Sequence, residues 1–141
     1  MLRLGGYLNI VIAFLHIIGL FWADRMFEIT GISDGMALAA EQIHPIYPYF
    51  ITVVVSIFFF TFGLYGLSAA GRIRKFPLVK PITFLIAGIY LLRGIGELIF
   101  DMEMQQASPI IETSYSLVAV FIGLLFLIGG IRKWRPVEAT K

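Results

Sequence analysis

Arg93 and Glu97 stand four residues apart in IYLLRGIGELIFD, residues 89–101, whose other side chains are mostly apolar. Four residues is close to one helical turn, so on a helix the guanidinium and the carboxylate share a face and can pair. A charge in the hydrocarbon of a bilayer costs roughly 3 kcal/mol or more, so such a pair is there for packing or for function. An arginine fork holds anionic or polar groups, and a neighbouring carboxylate or imidazole can set or sense protonation. His16 and His44 are the two histidines of the chain. The expected ligand-binding set is Arg93, Glu97, His16, Tyr49, Ser56 and Ser116, with His44, Asp101 and Glu112 at a lid or rim. No residue is assigned a catalytic or metal-binding role, because no G-x-S-x-G, H-E-x-x-H or P-loop is present.

The elements that must carry these residues follow from composition. The 141 residues are 59% hydrophobic and 14% charged, with a mean hydropathy of +0.89. A soluble domain carries about 25% charged residues, so the balance indicates an integral membrane protein. The absence of cysteine excludes disulfides, thiolate metal sites, covalent c-type haem and cysteine nucleophiles. With a hydrocarbon core of ~30 Å, four spans of ~20 residues use most of the chain, which predicts one all-α domain, an up-down-up-down bundle of four transmembrane helices.

The first span is read at 4–22. A signal peptide is the competing reading, but the apolar run is longer than an h-region and no convincing A-x-A site follows. Residues 24–44 form a polar interval with apolar islands. Within it Ser33 suits an N-cap, residues 34–43 favour a short interfacial helix, and His44-Pro45 should end that helix. The second span is read at 46–70, with Gly71 placed to stop it. A short basic loop follows, and the third span is 81–100, Pro81 being tolerated in a first turn. Ser108-Pro109 reads as a cap and first helical position, with Glu112 beside the positive end of the helix dipole. The fourth span is 110–131, and its stripe of Ser116, Gly123 and Gly130 suits close packing in lipid. A faint echo at an offset of 77 aligns His16 with Arg93 and Gly19 with Gly96, as two halves of two helices each would produce.

Charge predicts orientation. Arg3, Arg72, Arg74, Lys75, Lys80, Arg132, Lys133, Arg135 and Lys141 are nine of the eleven Lys and Arg residues, and all fall on the side shared by both termini and the second loop. The positive-inside rule then places the N- and C-termini in the cytoplasm, and the economy of the loops suits a bacterial inner membrane. The net charge of +2 follows from this topology and is no nucleic-acid footprint.

At ~1.5 Å per residue, His16 and Arg93 both lie about 10 Å below the outer ends of their helices. Tyr49, Thr52, Ser56, Tyr115 and Ser116 occupy the same outer half, while the inner half, with Phe58, Phe59, Phe60 and Phe62, carries no charge. The pattern predicts an outer-leaflet polar pocket that binds, and in an extended version transports, a small polar or anionic ligand, transport requiring a homodimer. The alternatives are an accessory or assembly subunit of a larger membrane complex with a purely structural ion pair, and an enzyme acting at the outer surface through Glu97, Asp101 and Glu112. No cofactor is expected. A haem between His16 and His44, or a quinone, is the one cofactor reading that two imidazoles leave open.

Overall fold

The computed structural model describes residues 1–100 and 109–135, without the side chains of Phe100, Pro109 and Glu112. The described residues are helical or in short connections, with no strand among them. Helix α1 is Leu2–Gly19, followed by a 3-10 turn at Leu20–Trp22 and helix α2 at Ala23–Thr30. Helix α3 is Ser33–Gln42, α4 is Tyr47–Ala69, α5 is Val79–Phe100 and α6 is Pro109–Lys133. Among the described residues, four helical runs are long and apolar enough to cross a membrane: Leu2–Thr30, Tyr47–Ala69, Val79–Ile99 and Thr113–Lys133. Their outward faces carry bare Phe14, Ile57, Leu92 and Leu117, each more than half exposed. Repeated over four helices, that much exposed hydrocarbon suits lipid and not water. The chain is a multi-pass membrane protein.

Glycines decide which helices touch. A methyl group at Gly6 would lie 2.9 Å from the Gly63 carbonyl oxygen and from the Leu67 nitrogen, and one at Gly66 would lie 2.8 Å from the Gly6 Cα. Helices α1 and α4 therefore meet backbone to backbone. In α5 and α6 a methyl at Gly94 would fall 2.7 Å from the Ser116 carbonyl, and one at Gly123 would fall 2.8 Å from Leu91 Cγ. With no water between spans to drive association, this close dispersion contact is what holds each pair. Phe126, fully buried against Gly5 and Gly66, and Leu2 against Gly129 dock the pairs on each other. Ile86, Ala87, Tyr90, Ala119 and Ile122 complete the shared core.

Helix α4 ends where Gly71 was expected to stop it. Gly71 takes a φ of 71°, and the Arg72 and Gly71 N–H groups return to the Leu67 and Ser68 carbonyls at 2.9 and 3.0 Å. This is a Schellman closure, which a left-handed glycine makes without strain. The following loop is pinned by Ser68, whose hydroxyl donates to the Arg74 carbonyl at 3.0 Å and accepts the Phe76 N–H at 2.8 Å.

The interval after the first span differs from expectation in two respects. Asp24, Arg25 and Glu28 broke the apolar run in sequence, yet they sit within α2, because charged residues on one side of a helix do not interrupt its backbone bonding. Ser33 is the first residue of α3 and not its cap, which is Ile32 and has no side-chain cap bond. Gly31, at φ 72°, closes α2 through Ile32 N–H to Phe27 carbonyl at 3.0 Å, and Ile32 in turn accepts from Met36 N–H at 2.9 Å. With only Gly31 and Ile32 forming the joint, the helix starts one residue earlier than the serine suggested.

Candidate functional site

Helix α5 delivers Arg93 and Glu97 to one face, as their spacing requires. Arg93 donates from Nε to Glu97 Oε1 at 3.1 Å, and its Nη2 reaches the same oxygen at 3.0 Å. Both donors converge on Oε1, which leaves Oε2 for another partner. That partner comes from α6: Ser116 Oγ donates to Oε2 at 2.8 Å. The serine is there because Gly94, next to Arg93, lets the α6 backbone approach at Ser116 itself. The same close seam that packs the two helices thus places a buried hydroxyl on the carboxylate.

The three groups differ in exposure, and this shapes what they can do. Ser116 is 3% exposed, whereas the Glu97 and Arg93 side chains are 26% and 54% exposed. A guanidinium has five N–H donors; two engage Glu97, and the remainder have no acceptor among the described residues. A fixed cation with open donors and a carboxylate already held by two partners can take an oxygen-bearing anion or a polar acceptor.

The other expected ligand residues are placed elsewhere. His16 Nδ1 lies 2.8 Å from the Ile12 carbonyl, and since a carbonyl only accepts, Nδ1 is the donor. Its ring lies against Phe59, with centroids 5.0 Å apart. It therefore bonds its own helix and not Glu97 or a tyrosine hydroxyl. Ser56 is buried and donates to the Ala13 carbonyl at 2.8 Å, tying α4 to α1. Tyr49 is exposed and makes no polar or ring contact with the described residues. His44 is an exposed turn residue whose Nδ1 accepts the Ile46 N–H at 3.2 Å, just before α4. Asp101 lies outside the described residues, as does the side chain of Glu112. Among the described residues no group of three or more His, Cys, Asp or Glu side chains gathers as a metal site.

A second polar cluster was not singled out from sequence. Asn9 on α1, fully buried, donates to the Gly5 carbonyl at 2.9 Å and accepts the Tyr90 hydroxyl at 2.5 Å. Tyr90 is packed against the Phe59 and Phe62 rings at 6.4 and 6.2 Å. The available signal was an amide in the middle of an apolar span, which must find a partner, and a tyrosine one turn before Arg93. Asn9–Tyr90 joins the α1–α4 pair to the α5–α6 pair, whereas Ser56–Ala13 and Ser116–Glu97 each lie within a pair. Comparison with family models, with curated proteins and with solved structures gives no match for this chain.

Proposed function

We propose that the protein binds a small polar or anionic ligand at the Arg93–Glu97–Ser116 constellation in the outer half of the membrane, and that transport, if coupled to it, uses a homodimer. The observation that carries this reading is the half-exposed Arg93 guanidinium, charge-matched by Glu97 yet with donors that meet no acceptor among the described residues. Ser116 completes the Glu97 carboxylate, so an incoming acceptor competes with neither helix contact.

In this reading the bundle runs up-down-up-down with both termini in the cytoplasm of a bacterial inner membrane, and α2 and α3 lie in the outer interface. The contact register supports alternation: Gly6 meets Gly63 while Ala13, farther along α1, meets Ser56, nearer the start of α4. Leu91 likewise meets Gly123, while Thr83 and Phe84, earlier in α5, meet Gly130. The basic end then faces inward by the positive-inside rule, and Arg93 lies near the opposite end of α5.

The same exposure supports a second reading, in which Arg93 meets an acceptor on a larger membrane complex and the protein is an accessory subunit. Native mass spectrometry of protein extracted gently from its own membrane separates the two. A retained small molecule lost in Arg93→Met supports binding; a stoichiometric protein partner lost in the same variant supports assembly. Neither being lost in Arg93→Met overturns both.

A further inference from the structure

At the end of the bundle opposite Arg93, an open recess of about 390 Å³ lies between three helix ends, lined by Leu2, Arg3, Ala69, Ala70, Gly129, Arg132 and Lys133 together with Met1. Among the described residues its lining carries three cationic side chains and no carboxylate. Arg3 comes from the first turn of α1, which has no acidic residue and no side-chain cap bond. Arg132 and Lys133 come from the last turn of α6. Lys133 Nζ donates to the Ala69 carbonyl at the end of α4, so one cation is fixed in place by a helix end. Neither Arg132 nor Arg3 forms an ion pair among the described residues, and the Arg3 guanidinium lies over the Tyr7 ring, 5.6 Å away.

We infer that this recess is a binding site for a phosphate group, supplied by the headgroup of an anionic phospholipid. Two arginine forks and an ammonium lining one concavity suit the oxygens of a phosphodiester. The recess lies at the ends of membrane-spanning helices, where lipid headgroups are, and basic pockets between such helices recognise anionic lipids. The unpaired first-turn N–H groups of α1 add donors of the same polarity. Diffuse attraction of the basic loop to a membrane does not need this geometry, because Arg74 and Lys75 lie outside the recess lining. Those two residues therefore provide the control.

The test uses the purified full chain in nanodiscs of phosphatidylcholine, alone or with phosphatidylglycerol, read by native mass spectrometry and by lipid-dependent thermal stabilisation. Wild type should retain phosphatidylglycerol over phosphatidylcholine. Arg3→Gln with Arg132→Gln should weaken that preference about tenfold, while Arg74→Gln with Lys75→Gln changes it less than twofold. Arg3→Lys with Arg132→Lys, which keeps the charge, should recover most of the preference, and a wild-type gel-filtration profile for the Gln pair shows that it still folds. Equal loss from the two Gln pairs would show diffuse charge and overturn the site. No lipid preference in wild type would overturn it too. Millimolar inorganic phosphate should leave phosphatidylglycerol bound; displacement by phosphate, with phosphate alone giving the full stabilisation, would overturn the lipid as the source.

Discussion

Ser116 donates to the one Glu97 oxygen that Arg93 leaves free, at 2.8 Å. The bond makes an ion pair within one helix into a link between two helices. It also fixes the carboxylate, so that the guanidinium above it has a defined direction. Charge-assisted bonds of this kind contribute about 1.5–3 kcal/mol when made and cost more when one partner is left buried alone.

Ser116→Ala removes only the hydroxyl and should lower stability by about 1–2 kcal/mol. Ser56→Ala, which breaks a neutral bond to the Ala13 carbonyl, should cost about 1 kcal/mol. Thermal or denaturant unfolding in one detergent orders the two. A smaller loss for Ser116 than for Ser56 would mean that the carboxylate does not hold the hydroxyl.

Glu97→Gln keeps the shape but removes the counter-charge of Arg93. The pair is partly exposed, so the loss should be about 1–2 kcal/mol, below the 3–5 kcal/mol of a fully buried pair. Arg93→Met leaves the more buried Glu97 carboxylate without its counter-charge, so it should cost more stability than Glu97→Gln, which leaves the more exposed guanidinium. The unfolding midpoints of the two variants decide the order.

Asn9 and Tyr90 should be energetically coupled. A double-mutant cycle with Asn9→Ala and Tyr90→Phe should give about 0.5–1.5 kcal/mol, the range of interhelical bonds in membranes. A coupling near zero would mean that the bond does not hold the two helix pairs together.

The glycines divide into two sets. Gly6→Val places side-chain atoms against the Gly63 carbonyl and Leu67 nitrogen, and should prevent the α1–α4 pair from forming. Gly88 and Gly96 have nothing within 4 Å of an added methyl. Gly88→Ala and Gly96→Ala should leave the fold intact and stabilise it by up to about 1 kcal/mol through helix propensity. Yield and monodispersity on gel filtration report both outcomes.

The four spans were legible because each is a long, mostly apolar run, and the Arg93–Glu97 pairing because it is local, set by helical spacing alone. What packing decides was not legible. The partnership of Glu97 with Ser116 depends on Gly94 letting α6 approach, and Asn9–Tyr90 joins residues 81 positions apart through the docking of two helix pairs. His16 could be assigned to its span, but its rotation toward the Ile12 carbonyl depends on Phe59 occupying the neighbouring space. Helix α2 was hidden because hydropathy follows the membrane and not the backbone.

The most direct measurement of the central claim is ligand retention by Arg93 variants. Protein extracted in a mild detergent is weighed by native mass spectrometry, then screened for thermal stabilisation by small carboxylates and inorganic phosphate. Wild type should carry or gain one small anion or polar molecule, Arg93→Met should lose it at least tenfold, and Arg93→Lys should keep part of it. Wild-type occupancy in Arg93→Met, or no binding by wild type in either experiment, would contradict that claim.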